Sequence, residues 1–393
     1  VSPPSRHQSV AILAQDLSIQ NHSAPVASMA QTPAKIVSLK AREVFDDMGY
    51  PTVEVDLVTD YGLFRGSVPS GAVTGMYEGM RTDGEKLPLL GKDAARATKD
   101  VNDVIAPKLV GMEVTQQRAI DCVMTEDLAG FKNATLAVSV AICRAGAASM
   151  QLPLYEYIAK IAGKPTDKFV MPVPSFNVMD GGVIVPDSRL LCFEFTVLPT
   201  GAKSFREALQ MGAEVHESLR AVVEEKYGRD ACKVGSEGGL RPLVQESSEA
   251  LELLATAIRA SGHEGRVKIG ADASPCDWYA DGVYDVDFKN PNGSAPEMKK
   301  TGEALGDYYK AWCDEYPLVS IEDPFVEDDY DAWTAFTEKV GKEIQLVGND
   351  LLFTNTKRIQ KALDCRASNA LLLKITPNRI GSITEAIDAA NLA

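Results

Sequence analysis

From about Pro165 onward the chain alternates short apolar runs with amphipathic helical stretches, and this alternation limits the possible folds more than anything else in its 393 residues. The runs are Val267–Ile269, Leu318–Ile321, Ile344–Val347 and Ala370–Leu373. Apolar side chains at successive positions mean a strand buried on both faces, and helices between such strands mean a parallel sheet. One helical stripe joins Phe205, Ala208, Leu209, Val215, Leu219 and Val222, with Gly212 on the same face; Leu251, Leu254 and Ile258 form another, as do Leu305, Tyr308 and Trp312. The strand–helix unit recurs without a repeated sequence.

Each run is followed by a polar residue: Asp272, Glu322, Asn349 and Lys374. In a βα-barrel the C-terminal strand ends converge on one mouth, where chemistry takes place. Two carboxylates and a further oxygen donor there suit a hard cation such as Mg²⁺. A lysine at the next strand end, desolvated beside a metal, has its pKa lowered toward that of a base. Spacing alone equally allows these charges to be solvated or paired across the barrel.

The first third is different. Thr52–Val53–Glu54–Val55–Asp56–Leu57 has a period of two, the mark of a strand with one buried face. Ile36–Phe45, Thr52–Thr59 and Leu63–Val68 predict a meander, with turns at Gly49–Tyr50–Pro51 and Asp60–Tyr61–Gly62. Helical periods follow: Val101, Val104, Ile105 and Leu109 share a face, and Ala134–Met150 is Ala-rich and apolar. The expected organisation is an extension over 1–34, an α+β domain over 35–165 and a βα-barrel over 166–393. Residues 1–34 are rich in Ser, Ala, Gln and Pro, with Asp16 as their one acid and Arg6 as their one base. They read as a disordered extension or an organelle transit segment.

With 40 basic and 55 acidic side chains the net charge is −15, which opposes a nucleic-acid surface or docking on an anionic membrane. No uncharged apolar run reaches the roughly 18 residues needed to span a bilayer. Seven scattered cysteines with no CxxC pair read as free thiols in a reducing compartment, most simply the cytoplasm.

The polar residues sit in local sequences that resemble the enolase family. PTVEVDL (51–57), VPSG (68–71), VNDVIAP (101–107), PTGAK (199–203), GSEGG (235–239), KIGAD (268–272), VSIEDPF (319–325), VGNDL (347–351) and ALLLK (370–374) occur in the family's order. The resemblance covers residue 36 to the end, and Met29–Ala30 resembles the usual family start. It implies an α/β protein with an N-terminal α+β domain and a TIM-type barrel whose first units depart from strict alternation. It implies the glycolytic, Mg²⁺-dependent reversible dehydration of 2-phosphoglycerate to phosphoenolpyruvate. Enolase-superfamily sites use a Lys or His base and one or two Mg²⁺. Carried over by motif, Lys374 matches the base, Glu237 the acid and Glu194 the second acidic residue beside it. Asp272 and Glu322 match two of the three metal carboxylates.

The sequence also departs from the family. The third metal position is Asn349, uncharged, so weakened Mg²⁺ binding is expected. A family Ser is Val73, a family His is Ile184, and the Gln before Glu194 is Phe193. The loop that begins Asn-Gly-Gly in the family begins Asp180–Gly181–Gly182. The Arg-bearing subunit-contact turn of the family reads Asp47–Met48–Gly49–Tyr50, leaving a homodimer or a larger assembly open. The family's final strand–helix units, with their phosphate-gripping His-Arg-Ser segment, lie beyond Ala393; an incomplete record, strands supplied from elsewhere and a larger assembly are the readings this leaves. His216 reads as a surface or capping residue. These departures predict chemistry impaired or lost, leaving an enolase-like structural or interaction subunit; the alternative is an active phosphopyruvate hydratase.

Overall fold

The structure, a computed structural model, describes residues 34–70, 94–128, 132–235 and 237–393. They cluster into two compact units. One comprises the described residues up to Lys168 together with Phe353–Ile359 and Leu373–Ala393; the other comprises Phe169–Leu352 and Gln360–Leu372.

The first unit contains the expected meander: β1 (Ile36–Phe45), β2 (Pro51–Thr59) and β3 (Gly62–Ser67), antiparallel in that order. The period of two in β2 is realised. Val53, Val55 and Leu57 are fully buried, while Glu54 and Asp56 on the other face meet Arg42 and Arg65 from the flanking strands, with Arg42 to Asp56 at 2.6 Å and Arg65 to Asp56 at 2.7 Å. The Ala-rich helix Lys132–Ser149 packs on the inner face. It approaches β3 closely because Gly66 has no side chain; a Cβ there would lie 2.2 Å from the Ala137 carbonyl oxygen. Of the expected face Val101, Ile105 and Leu109 are buried and Val104 is half-buried, Val101–Ile105 being wound as a π-helix. The turn after β1 is held by the Asp46 carboxylate, which accepts from the Met48 and Tyr50 N–H groups, and Met48 is exposed.

A buried polar network fastens the helix Ile383–Leu392 in this unit. Asp121 Oδ2 accepts from the Thr384 hydroxyl (2.6 Å) and N–H (3.1 Å). Gln117 donates to Asp121 and to Ser139 Oγ, which also accepts from the Ile383 N–H at 2.9 Å. Burial pushes the Asp121 carboxyl pKa up, against the pull of the hydrogen bonds from Thr384, Ser139 and Gln117. The folded state therefore holds the proton more tightly than the unfolded chain. By linkage, stability falls as pH rises from the unfolded value of about 3.9 through the raised folded one. Asp121→Asn is expected to remove that slope. Urea unfolding between about pH 4 and 7 checks it, and equal slopes in the two proteins would count against it.

The second unit is built on a six-stranded sheet. Its strands are β4 (Phe176–Asp180), β5 (Glu194–Leu198), β6 (Lys268–Asp272), β10 (Leu318–Glu322), β11 (Gln345–Gly348) and β12 (Ala370–Leu371), in the order β12-β11-β10-β6-β5-β4. A hairpin-like subsheet of β7 (Tyr279–Ala280), β8 (Val283–Asp285) and β9 (Lys299–Lys300) follows β6. The four strands anticipated from apolar runs are parallel to one another, but β5 runs antiparallel to both β4 and β6. Two helices, Phe205–Tyr227 and Ser247–Ala260, separate β5 from β6. A pair of helices returns the chain to the end it left, so the next strand runs in the opposite direction.

The Phe205–Tyr227 stripe is rotated from its expected position. Ala208, Met211, Gly212, Val215, Leu219 and Val223 face inward, while Phe205 and Leu209 are exposed. Gly212 sets this rotation by lying against the Phe176 ring, where a Cβ would come within 2.4 Å of Cε2. The stripes on the other two helices are buried as expected except that Tyr309, not Tyr308, is the fully buried tyrosine. Among the described residues no single helix is long and apolar enough to cross a membrane.

Candidate active site

Four carboxylates stand at one level across the sheet. The register pairs Asp180 with Glu194, Glu194 with Asp272, and Asp272 with Glu322. Directly paired residues project to the same sheet face, so four neighbouring strands present four acids in a row. Asp272 and Glu322 reach it as the last residues of β6 and β10, Glu194 as the first residue of the reversed β5. The row is electrostatically costly. Burial, then the negative charges of Glu322 and Asp323, push the Asp272 carboxyl well above the usual carboxylate range, opposed by the Ser274 hydroxyl bonded to it at 2.8 Å.

Asp323, beside this row, and Asp180, a member of it, hold the adjoining loops. Asp323 is buried at a positive φ of 39°. Its two oxygens accept the N–H groups of Asn349 (3.0 Å) and Asp350 (2.8 Å), fixing the turn after β11. Asn349 is itself buried. Asp180 is fully buried and does the same for the Gly235–Gly239 turn, accepting from the Gly239 N–H at 3.0 Å and the Glu237 N–H at 3.3 Å. Glu237 is exposed on that turn. Sequence reasoning gave Asp180 and Asp323 no role. The signal available was an acid adjoining each candidate, as in Glu322–Asp323, or opening the altered glycine loop.

The loop after β4 holds Ile184, at the position where the resemblance expects a histidine. Ile184 is half-buried and Val183 exposed. The loop is nevertheless firmly held. The Lys289 ammonium donates to three carbonyls on it, those of Gly182, Val185 (3.0 Å) and Ser188 (2.7 Å). Arg189 pairs with Asp287 at 2.6 Å, and Arg241 donates to the Ile184 carbonyl. With burial as its cause, the Lys289 pKa falls to about 8. Phe193 serves this region through its backbone: its N–H donates to the Asp272 carbonyl and its carbonyl accepts from Gly181, both at 2.8 Å.

Lys374 does not end a strand. The ladder stops at Leu371, with Leu372 making a last bond to Gly348, so the expected run to Leu373 is corrected. Lys374 belongs to the compact unit that includes the first third of the chain, and its N–H donates to Thr354 Oγ1 at 3.0 Å. A few residues on, Arg379 stacks on Phe353 at 4.6 Å and accepts at its carbonyl from Lys132. Val73 lies outside the described residues. His216 is half-buried on its helix, where burial lowers its pKa. Among the described residues no three His, Cys, Asp or Glu side chains are gathered as a ready metal cage. All seven cysteines are free thiols.

Residues 36–158 match the family described as "Enolase, N-terminal domain" and residues 168–393 match "Enolase, C-terminal TIM barrel domain". The enolase of Eimeria tenella is 50% identical over an alignment of 373 positions that covers 91% of this chain and 83% of that protein. The chain belongs to the enolase family. Its fold is accordingly an enolase N-terminal α+β domain followed by an enolase TIM-barrel domain. The mixed start of the barrel sheet, with β5 reversed, is the departure from strict alternation that the enolase resemblance implied.

Proposed function

We propose that this chain binds Mg²⁺ through Asp272 and Glu322 and dehydrates 2-phosphoglycerate to phosphoenolpyruvate, at a rate reduced by the changes around its mouth. The observation that carries the reading is the row Glu194–Asp272–Glu322, three acids in register on adjacent strands. Like charges crowded at half-buried positions are stabilised by a divalent cation, and carboxylate and amide oxygens are the donors a hard cation takes. Asp272 and Glu322 would hold the ion, with Asn349 as an uncharged third donor. When bound, Mg²⁺ supplies positive charge against the negative charge that builds on the substrate carboxylate.

The chain's own groups divide the proton work. Lys374 takes the C2 proton as an amine, leaving the bonding pair on the substrate as an enolate. That pair then forms the C2–C3 double bond as the C3 hydroxyl leaves. Glu237 gives its proton to the departing hydroxyl, which becomes water. Glu194, which lies opposite Asp272 in the register, is taken from the resemblance as the second acid beside Glu237. Asp323 and Asp180 serve by fixing the turns that bear Asn349 and Glu237.

The test is Mg²⁺-dependent growth of phosphoenolpyruvate absorbance with purified full-length protein. Turnover more than about tenfold below an ordinary enolase, a barrier increase above about 1.4 kcal/mol, is expected. Turnover within that factor would remove the impairment from the reading. A folded chain with no Mg²⁺-dependent turnover would instead establish a non-catalytic enolase-like subunit, the reading favoured by Asn349, Ile184 and Phe193. A related prediction concerns the metal alone. Asn349→Asp restores an anion and is expected to tighten Mg²⁺ binding roughly tenfold by calorimetry; unchanged affinity would show that the amide does not weaken the site.

The same reading takes 35–165 and 166–393 as the two domains and 1–34 as an extension or targeting segment. It places the protein in the cytoplasm, as a homodimer or within a larger assembly.

A further inference from the structure

Glu237 sits on a turn rich in glycine, Gly235 to Gly239, and such a turn has many accessible conformations unless something restrains it. In this structure both polar groups of the Glu237 backbone are taken by side chains of β4. Its N–H donates to Asp180 Oδ2 at 3.3 Å, and its carbonyl accepts from Asn177 Nδ2 at 3.1 Å. Asn177 Nδ2 also donates to Asp180 Oδ1 at 2.8 Å, so the two gripping side chains are joined to each other. Asp180 Oδ1 takes the Gly239 N–H as well.

The turn closes on itself through Gly235 N–H to the Gly239 carbonyl at 2.8 Å. It leaves along β4, where Leu240 and Asp180 exchange backbone bonds with their neighbours at 2.9 Å. Space at the grip is full. A Cβ on Gly235 would lie 2.0 Å from Asp180 Oδ2, and one on Gly239 2.3 Å from Asp180 Oδ1. An asparagine at 180 would offer one accepting oxygen. The carboxylate of this chain has two, and both are used.

We propose that Asn177 and Asp180 are positioning residues for Glu237, holding its peptide on both sides so that only the side chain remains free to turn toward a substrate. The proposal rests on the reading of Glu237 as the proton donor. It assigns no contact with substrate to either residue. They act through the backbone of the acid, and the carboxylate at 180 makes the grip doubly accepting in this chain.

Three variants test it: Asn177→Ala, Asp180→Ala and Asp180→Asn. The first readout is amide exchange at Glu237 and Gly239 together with the titration of the Glu237 carboxyl by NMR, neither of which needs turnover. Asp180→Ala is expected to speed exchange at both amides about three- to tenfold, the range for one lost hydrogen bond, and to move the Glu237 titration while buried helix amides stay unchanged. Asp180→Asn keeps one acceptor and should fall between Asp180→Ala and the natural chain. Asn177→Ala removes the carbonyl partner and the bond to Asp180 Oδ1 but leaves both carboxylate acceptors in place, so it keeps the test decisive if Asp180→Ala does not fold. The second readout is kinetic: kcat should drop roughly tenfold while KM changes little, as expected for a misplaced reacting group. Exchange and titration unmoved in Asn177→Ala and Asp180→Asn would overturn the grip, and faster exchange with unchanged kcat would overturn its positioning role. A natural chain without turnover would sink the hydratase reading alone, leaving exchange and titration to decide this one.

Discussion

Gly239→Ala is expected to lower the unfolding free energy by about 3 kcal/mol, the upper end for forcing a methyl group into filled space. The new Cβ would meet more than the Asp180 carboxylate. It would come within 2.6 Å of the Asp180 amide nitrogen and of the Met179 carbonyl carbon, both main-chain atoms of β4. A flexible side-chain tip moves aside cheaply, but a paired strand does not. Relief therefore requires the turn to lift off β4, which breaks the bonds from Glu237 and Gly239 to a buried anion and leaves that anion short of donors. Chemical denaturation reads the loss directly. A variant within about 0.5 kcal/mol of the natural chain would mean that the turn is looser than its hydrogen bonds imply.

The second large effect is expected in the core of the barrel unit. Phe325→Ala should cost about 3–5 kcal/mol. Phe325 is fully buried in SIEDPF, just beyond Glu322 and Asp323. Its ring makes edge contacts with Tyr284, Tyr309, Trp333 and Phe336 at centroid separations of 5.6–6.2 Å. Four rigid rings cannot close over the vacancy, so the cavity term should be near its maximum. A loss below about 1.5 kcal/mol would show that the cluster collapses readily. Because Asp323 lies two residues upstream and holds the Asn349 turn, weaker Mg²⁺ binding should accompany the loss of stability.

The parts of this fold legible in the sequence are those governed by periodicity. The alternation in β2 and the apolar runs of β6, β10 and β11 placed their strands to within three residues, because burial acts on each residue of a strand separately. The Phe205–Tyr227 helix was misjudged by part of a turn. Both candidate stripes contain Ala208, Gly212 and Val215, and what chooses between them is the Phe176 ring, which comes from another element. Asp272 and Glu322 were legible as strand-ending acids. Glu194 was reached through family resemblance, since it opens a reversed strand and no rule about strand ends selects it. The Lys289 clamp was invisible for a different reason. Its partners are main-chain carbonyls about a hundred residues away, and a carbonyl carries no sequence signature. Asp180 and Asp323 likewise bond to peptide N–H groups, so their places beside Glu322 and at the head of the glycine loop mark them as acids without marking what they hold.

The network joining Asp121 to Thr384 spans 263 positions in the chain. At ribosomal rates of about 5–20 residues per second, the partner of Asp121 is made roughly 13–50 seconds after Asp121 itself. The unit that begins first must therefore wait for a distant segment, and until residue 384 emerges a nascent chain carries an uncovered carboxylate and a bare apolar seat around Cys143 and Tyr157 where Ile383 and Ile387 will dock.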